Sequence, residues 1–178
     1  MTAAKPIPFA IEELEAIFAL DRVNGRLIRV KSTQGRKNGE NFNADYRYVS
    51  IDGAQYFEHR VIWMLANRQH IPFGMDVDHI NRDKLDNRPE NLRLATAAQN
   101  RANTGKQRNN STGYKGVFLD KGKFRAKIKS KGNQRFLGSY STAAAAAAAY
   151  DSAALAAFGE YAMTNARMGL LAAHCASQ

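Results

Sequence analysis

The chain has 178 residues, 44% hydrophobic and 24% charged, an ordinary balance for one domain or two small ones with modest cores. Its 26 Lys and Arg against 16 Asp and Glu give a net charge of +10, which points to an anionic partner, nucleic acid ahead of membrane. No run approaches the roughly eighteen apolar residues of a membrane helix, the N-terminus lacks a signal-peptide core, and the single cysteine, Cys175, excludes an intrachain disulfide or cysteine-cluster zinc site. A membrane partner is therefore not expected, and a cytoplasmic location is.

In chain order, Ile11, Leu14, Ile17, Phe18 and Leu20 recur at helical spacing with Glu12, Glu13 and Glu15 opposite, predicting a short amphipathic helix over 11–20. Asn24-Gly25 is a hairpin turn signal before the strand-like Arg26 to Val30. Lys31 to Asn43 reads as an exposed polar loop whose Lys31, Arg36 and Lys37 are within the repertoire of phosphate contacts or of a merely solvated loop. Tyr46 to Ile51 alternates as a strand, Asp52-Gly53 turns it, and Gln55 to His59 returns. A helix then carries the apolar cluster around Trp63, and Ile71-Pro72-Phe73-Gly74 turns the chain into the next strand. His59 is read as structural or as a phosphate contact, His70 and His174 as exposed.

Asp78-His79 sits on a short strand between Val77 and Ile80; a charged, turn-rich loop and a second apolar run, Leu92 to Leu94, complete a hairpin. Thr96 is a reasonable N-cap for a short helix through Ala102. Neighbouring strand residues point to opposite faces, so Asp78 can turn toward a metal shared with Asn100 while His79 faces a water on the other side. An oxygen-only pair, Asp78 and Asn100, suits a hard cation such as Mg²⁺ (or Mn²⁺) that keeps waters and accepts phosphate oxygens.

The spacing Asp78-His79, Asn91 twelve positions after His79 and Asn100 nine further resembles the ββα-metal HNH nucleases, in the HNN variant of phage homing endonucleases. Asp86-Asn87-Arg88-Pro89-Glu90-Asn91-Leu92-Arg93 and Gln99-Asn100 with Asn103 resemble the same family. The resemblance implies His79 as the base that activates water, Asp78 and Asn100 as ligands of one divalent metal, Asn91 as the residue pinning the loop that orients His79, and Arg93 as a DNA contact. It also implies products with 5′-phosphate and 3′-hydroxyl ends.

Arg101 to Gly113 has almost no apolar content and reads as a basic linker, and between Arg101 and Arg135 there are eleven Lys or Arg and one acid, Asp120. Beyond it, Tyr114 to Leu119, Lys123 to Lys129 and Gln134 to Tyr140 read as three strands. In the middle one Phe124, Ala126 and Ile128 alternate with Arg125, Lys127 and Lys129, one face apolar and the other positive. A helix from Ser141 or Thr142 through the seven alanines 143–149 to Gly159 covers the apolar face, with Tyr150, Leu155 and Phe158 as its larger fillers. Gly113-Tyr114-Lys115-Gly116-Val117, Phe124-Arg125-Ala126-Lys127-Ile128, Phe136-Leu137-Gly138-Ser139-Tyr140 and Ala149-Tyr150-Asp151 resemble the AP2 DNA-binding domain. That resemblance implies DNA contacts from Lys115, Arg125, Lys127, Lys129 and Arg135.

The expected fold is therefore α+β: a ββα-metal HNH unit with N-terminal hairpins and helices over 1–104, a flexible basic linker over 105–113, an AP2-like three-stranded antiparallel sheet on one helix over 114–165, and a tail over 166–178. The expected function is a metal-dependent endonuclease of homing type that nicks or cuts double-stranded DNA, in a phage-infected or bacterial cell. The competing readings are a DNA-binding regulator with a non-catalytic HNH scaffold and a nuclease directed by DNA structure. No heptad repeat is present, and the oligomeric state stays open, a monomer included.

Overall fold

The computed structural model describes residues 6–30, the backbone of 41–42, and 45–171. The chain divides into two compact units, Met1–Ala97 and Ala98–Gln178. The loop expectations for Lys31, Arg36 and Lys37, and those for His174 and Cys175, lie outside the described residues.

The first unit begins with α1, Ile11–Ile17, whose Glu13 Oε2 accepts the Ala10 N–H at 2.8 Å and whose Ile11 and Leu14 are buried. The helix expected to reach Leu20 stops early. Phe18–Asp21 forms β1 and pairs antiparallel with β2, Arg26–Arg29. The turn supplies the reason: the Asp21 carboxylate accepts the N–H groups of Val23 and Asn24, each at 3.1 Å, and Gly25 takes φ +60°. A four-residue ladder with Phe18 buried thus displaces one further helical turn.

β3, Asn41–Phe42, β4, Arg47–Ile51, and β5, Ala54–Phe57, form an antiparallel sheet in that order. Asp52 and Gly53 both have positive φ, the condition of a tight two-residue hairpin loop. α2, Glu58–Asn67, follows directly and ends on Arg68 at φ +49°, whose N–H bonds to Met64 O. Val61, Ile62 and Met64 of this helix are essentially inaccessible and pack with Leu14, Phe18, Ile51, Val77 and Leu92 into the unit's core. Each such side chain contributes about 2 kcal/mol relative to exposure. Against that core lies the hairpin of β6, Met75–His79, and β7, Leu92–Thr96, in register from Met75↔Thr96 to His79↔Leu92. A 3₁₀ turn, Pro89–Asn91, leads into β7, and α3, Ala97–Ala102, follows it.

In the second unit β8, Val117–Asp120, β9, Lys123–Ser130, and β10, Asn133–Tyr140, form an antiparallel sheet with β9 in the middle. α4, Ala143–Phe158, packs on it; Thr142 Oγ1 caps the helix by accepting the Ala145 N–H at 3.2 Å. Ala146 and Ala147 lie beside Val117 and Ala126 with no exposure, so the alanine run is what lets backbone and sheet approach closely. Gly116 completes that fit, since a Cβ there would stand 1.9 Å from the Tyr150 ring. Of the expected fillers Tyr150 is buried, with Ala153 and Ala154 beside it, whereas Leu155 is 47% exposed.

Where a flexible tether is expected over 105–113, ordered turns occur. Asn110 Nδ2 donates to Tyr114 O at 2.7 Å, and Thr112 Oγ1 donates to Val117 O at 3.0 Å. These bonds tie the segment to the start of the sheet, and the division between units falls before it, at Ala97–Ala98.

Candidate active site

The start of α2 is polar where the rest of the helix is apolar. Glu58, His59 and Arg60 are all buried, an expensive placement that requires partners. Glu58 Oε1 accepts the Leu27 N–H at 3.1 Å and faces Arg26 Nε at 3.5 Å, while Glu58 Oε2 accepts from Asn87 Nδ2 at 3.3 Å. Asn87 in turn presents Oδ1 to His79 Nε2 at 2.9 Å. Three buried groups from α2, the loop after β6 and β6 itself thus form one chain, Glu58–Asn87–His79.

Beside it the His59 ring centroid lies 4.9 Å from that of His79, and Tyr46 lies 5.4 Å from His59. Burial, then the neighbouring His79 and Arg60, hold His59's pKa well below the usual imidazole value, so this ring stays neutral. Arg60 keeps its charge although burial lowers its pKa against the opposing pull of Asp76.

Asp78 and His79 part to opposite faces of β6, as alternation demands. Asp78 is the cross-strand neighbour of Arg93, and its Oδ2 accepts from both Arg93 Nε and Nη2 at 3.2 Å. Arg93, expected as a DNA contact, therefore has its guanidinium on Asp78, the carboxylate expected to bind the metal. Both side chains are nearly buried.

Asn91 braces the loop. It accepts the Asn81 N–H at Oδ1 (2.9 Å) and donates from Nδ2 to Asn81 Oδ1 (2.9 Å) and Asp86 O (2.7 Å). Asn81 also donates to Asp86 Oδ2, and the Arg88 guanidinium beside Asp86 lowers that carboxyl to about 2. Asn87 is thus bonded to the His79 ring, while Asn91 holds the loop that carries it. Glu58 and Asn87 were not singled out from sequence; the signal available was a polar triplet opening an apolar helix and a second asparagine four residues before Asn91.

Asn100 sits half-buried on α3, in the second unit. Among the described residues no cluster of three or more His, Cys, Asp or Glu side chains is arranged to cage a metal. A hard divalent cation completed by water and phosphate oxygens needs no such cage, so a single buried carboxylate at Asp78 is compatible with one.

On the second unit the expected DNA contacts separate. Lys115 is turned inward: its Nζ donates to the carbonyls of Ala102 (2.7 Å), Thr104 (2.6 Å) and Met163 (3.1 Å). Asn165 clasps the same residue's backbone and is held by the buried Asp151. Arg125, Lys127 and Lys129 share one face of β9 away from α4; Lys127 Nζ lies 4.8 Å from the Phe118 ring, and Arg125 pairs with Asp120 at 2.5 Å. Arg135 is exposed but stands opposite Ile128, so by register it belongs to the other face from that row.

Residues 56–102, from β5 through α3, match the family model described as HNH endonuclease. The chain is 35% identical over 118 residues, 66% of its length, to an uncharacterised HNH endonuclease of Acanthamoeba polyphaga mimivirus, and it spans 61% of that relative. No solved structure matches the chain significantly. The segment carrying Glu58, Asp78, His79, Asn87, Asn91 and Asn100 is thus the segment similar to the HNH endonucleases.

Proposed function

We propose that the protein is a DNA endonuclease that hydrolyses phosphodiester bonds in double-stranded DNA with a divalent cation, Mg²⁺ or Mn²⁺, at the β6–β7 hairpin. The observation that carries this reading is the buried His79, bonded through Nε2 to Asn87 on one face of β6, with the Asp78 carboxylate on the other, inside the segment similar to HNH endonucleases. His79 takes the proton from the attacking water, and Asn87 and Asn91 hold the ring and its loop in place. Asp78 would hold the cation. When bound, the cation stabilises charge developing on the phosphate and on the leaving oxygen.

The second unit supplies affinity in this reading. Its three-stranded sheet on one helix supports the AP2 resemblance, and Lys127 and Lys129, with Arg125, offer a positive row to the phosphates. Lys115 leaves that set, its ammonium being engaged by three carbonyls. A homing role and a viral or bacterial setting stay within the proposal on the resemblance to phage enzymes.

The rival, a DNA-binding protein with an inert HNH scaffold, draws on one observation, Arg93 on Asp78. Incubating supercoiled plasmid with the full chain separates the two. The proposal expects nicked or linear product that requires Mg²⁺ or Mn²⁺, disappears with chelator, and is resealed by DNA ligase because its ends are 5′-phosphate and 3′-hydroxyl. Plasmid that is bound but left supercoiled with either metal would leave the rival standing.

A further inference from the structure

We infer that Asn87, clamped by Glu58, is a positioning residue that dictates which nitrogen of His79 carries the proton. An amide side chain taken alone can face either way, and a neutral imidazole can hold its proton on either nitrogen. Glu58 removes both freedoms. Its Oε1 is engaged by the Leu27 N–H and faces Arg26, leaving Oε2 toward Asn87. A carboxylate only accepts, so the Asn87 amide nitrogen points to Glu58 and the amide oxygen to His79. An amide oxygen also only accepts, so the 2.9 Å contact requires the proton on His79 Nε2. In the neutral ring the lone pair then lies on Nδ1, and that atom receives the proton from water.

The reversed amide would set oxygen against carboxylate in a site where Glu58, Asn87 and His79 are each at most 5% exposed, so solvent would do little to relieve it. The loop backbone is fixed too, because Gly25 abuts the Asn87 carbonyl carbon and the Arg88 nitrogen so closely that no side chain fits between. The two loop asparagines divide the work: Asn91 bonds within the loop, and Asn87 bonds out of it to the ring and to α2.

Only the catalytic consequence of this inference rests on the nuclease reading; the protonation pattern stands apart from it. The test is a long-range ¹H–¹⁵N correlation spectrum of histidine-labelled full-length protein at a pH where the imidazoles are neutral, with His79 assigned by loss of its signals in His79→Gln. The natural protein is expected to show His79 protonated on Nε2. Glu58→Gln, nearly isosteric, lets the amide reverse and is expected to populate the Nδ1-protonated form; Asn87→Leu removes the acceptor and the preference with it. In cleavage assays both variants are expected to lose on the order of a hundredfold in kcat with KM little changed, the scale of a misplaced catalytic group. A natural protein with its proton on Nδ1, or variants that keep the natural pattern, would overturn the inference. Absence of cleavage by every protein, natural included, would strike the nuclease reading, and the spectra would still decide the inference.

Discussion

Replacing Gly25 with alanine tests whether the β1–β2 turn supports the site as well as the fold. Gly25 has φ +60°, a region that costs an L-residue about 1–2 kcal/mol. A Cβ there would lie 2.3 Å from Arg88 N and 2.4 Å from Asn87 C, backbone atoms that cannot rotate aside as a side-chain tip can. Ordinary contact begins near 3.4 Å, so turn and loop must part by roughly 1 Å, a strain comparable with core overpacking at about 1–3 kcal/mol. The sum is about 2–5 kcal/mol, and the displaced backbone belongs to Asn87, which holds His79. Gly53→Ala is the internal control: it has φ +78° in the same unit, with nothing within 4 Å of its Cβ, so only the conformational part of about 1–2 kcal/mol applies. Denaturant unfolding followed by circular dichroism measures both, and plasmid cleavage under conditions where each variant is folded measures the site. Equal stability losses for Gly25→Ala and Gly53→Ala, with unchanged cleavage, would refute the claim that the turn presses on Asn87.

Four further variants have outcomes set by the geometry. Arg93→Met leaves the buried Asp78 carboxylate without its guanidinium and is expected to lower stability by about 3 kcal/mol; Mg²⁺ should raise the variant's melting temperature more than the natural protein's if Asp78 binds the cation. His59 has a folded-state pKa depressed by burial, so the unfolded chain binds the extra proton. Stability from this group is therefore complete above the unfolded value of about 6.5 and falls as pH drops below it, and His59→Phe should flatten unfolding free energy between roughly pH 6.5 and 5. Lys115→Met should cost about 1–3 kcal/mol of stability, because three carbonyls lose a charged donor, with the salt dependence of DNA binding unchanged; Lys127→Ala should instead reduce that salt slope by about 1 with little effect on unfolding.

What could be read beforehand was whatever depended on neighbours in sequence. The β6–β7 hairpin, the short helix after Thr96, and the alternation that separates Phe124, Ala126 and Ile128 from Arg125, Lys127 and Lys129 all follow from period and turn chemistry. The limits of α1 did not, because Phe18–Asp21 has helical spacing and is claimed by a partner strand across the Asn24-Gly25 turn. Glu58 reaches Asn87 across 29 positions, and Lys115 reaches Met163 across 48. Lysine on a basic stretch and a glutamate opening a helix are both ordinary on a surface, and only the folded contacts show that Lys115 Nζ is surrounded by carbonyls and that Glu58 is buried. Asn91 drew notice by its place in the motif, yet Asn87 makes the bond to the ring.

The most direct test of the central claim, that His79 is the group that accepts water's proton, is chemical rescue. His79→Gly and the natural protein are compared for single-turnover cleavage of a bound duplex, with and without added imidazole. The account predicts that His79→Gly binds DNA normally, cuts at least a hundredfold more slowly, the scale of a lost general base, and regains cutting as imidazole is added. Cleavage by His79→Gly at the natural rate without imidazole would contradict it.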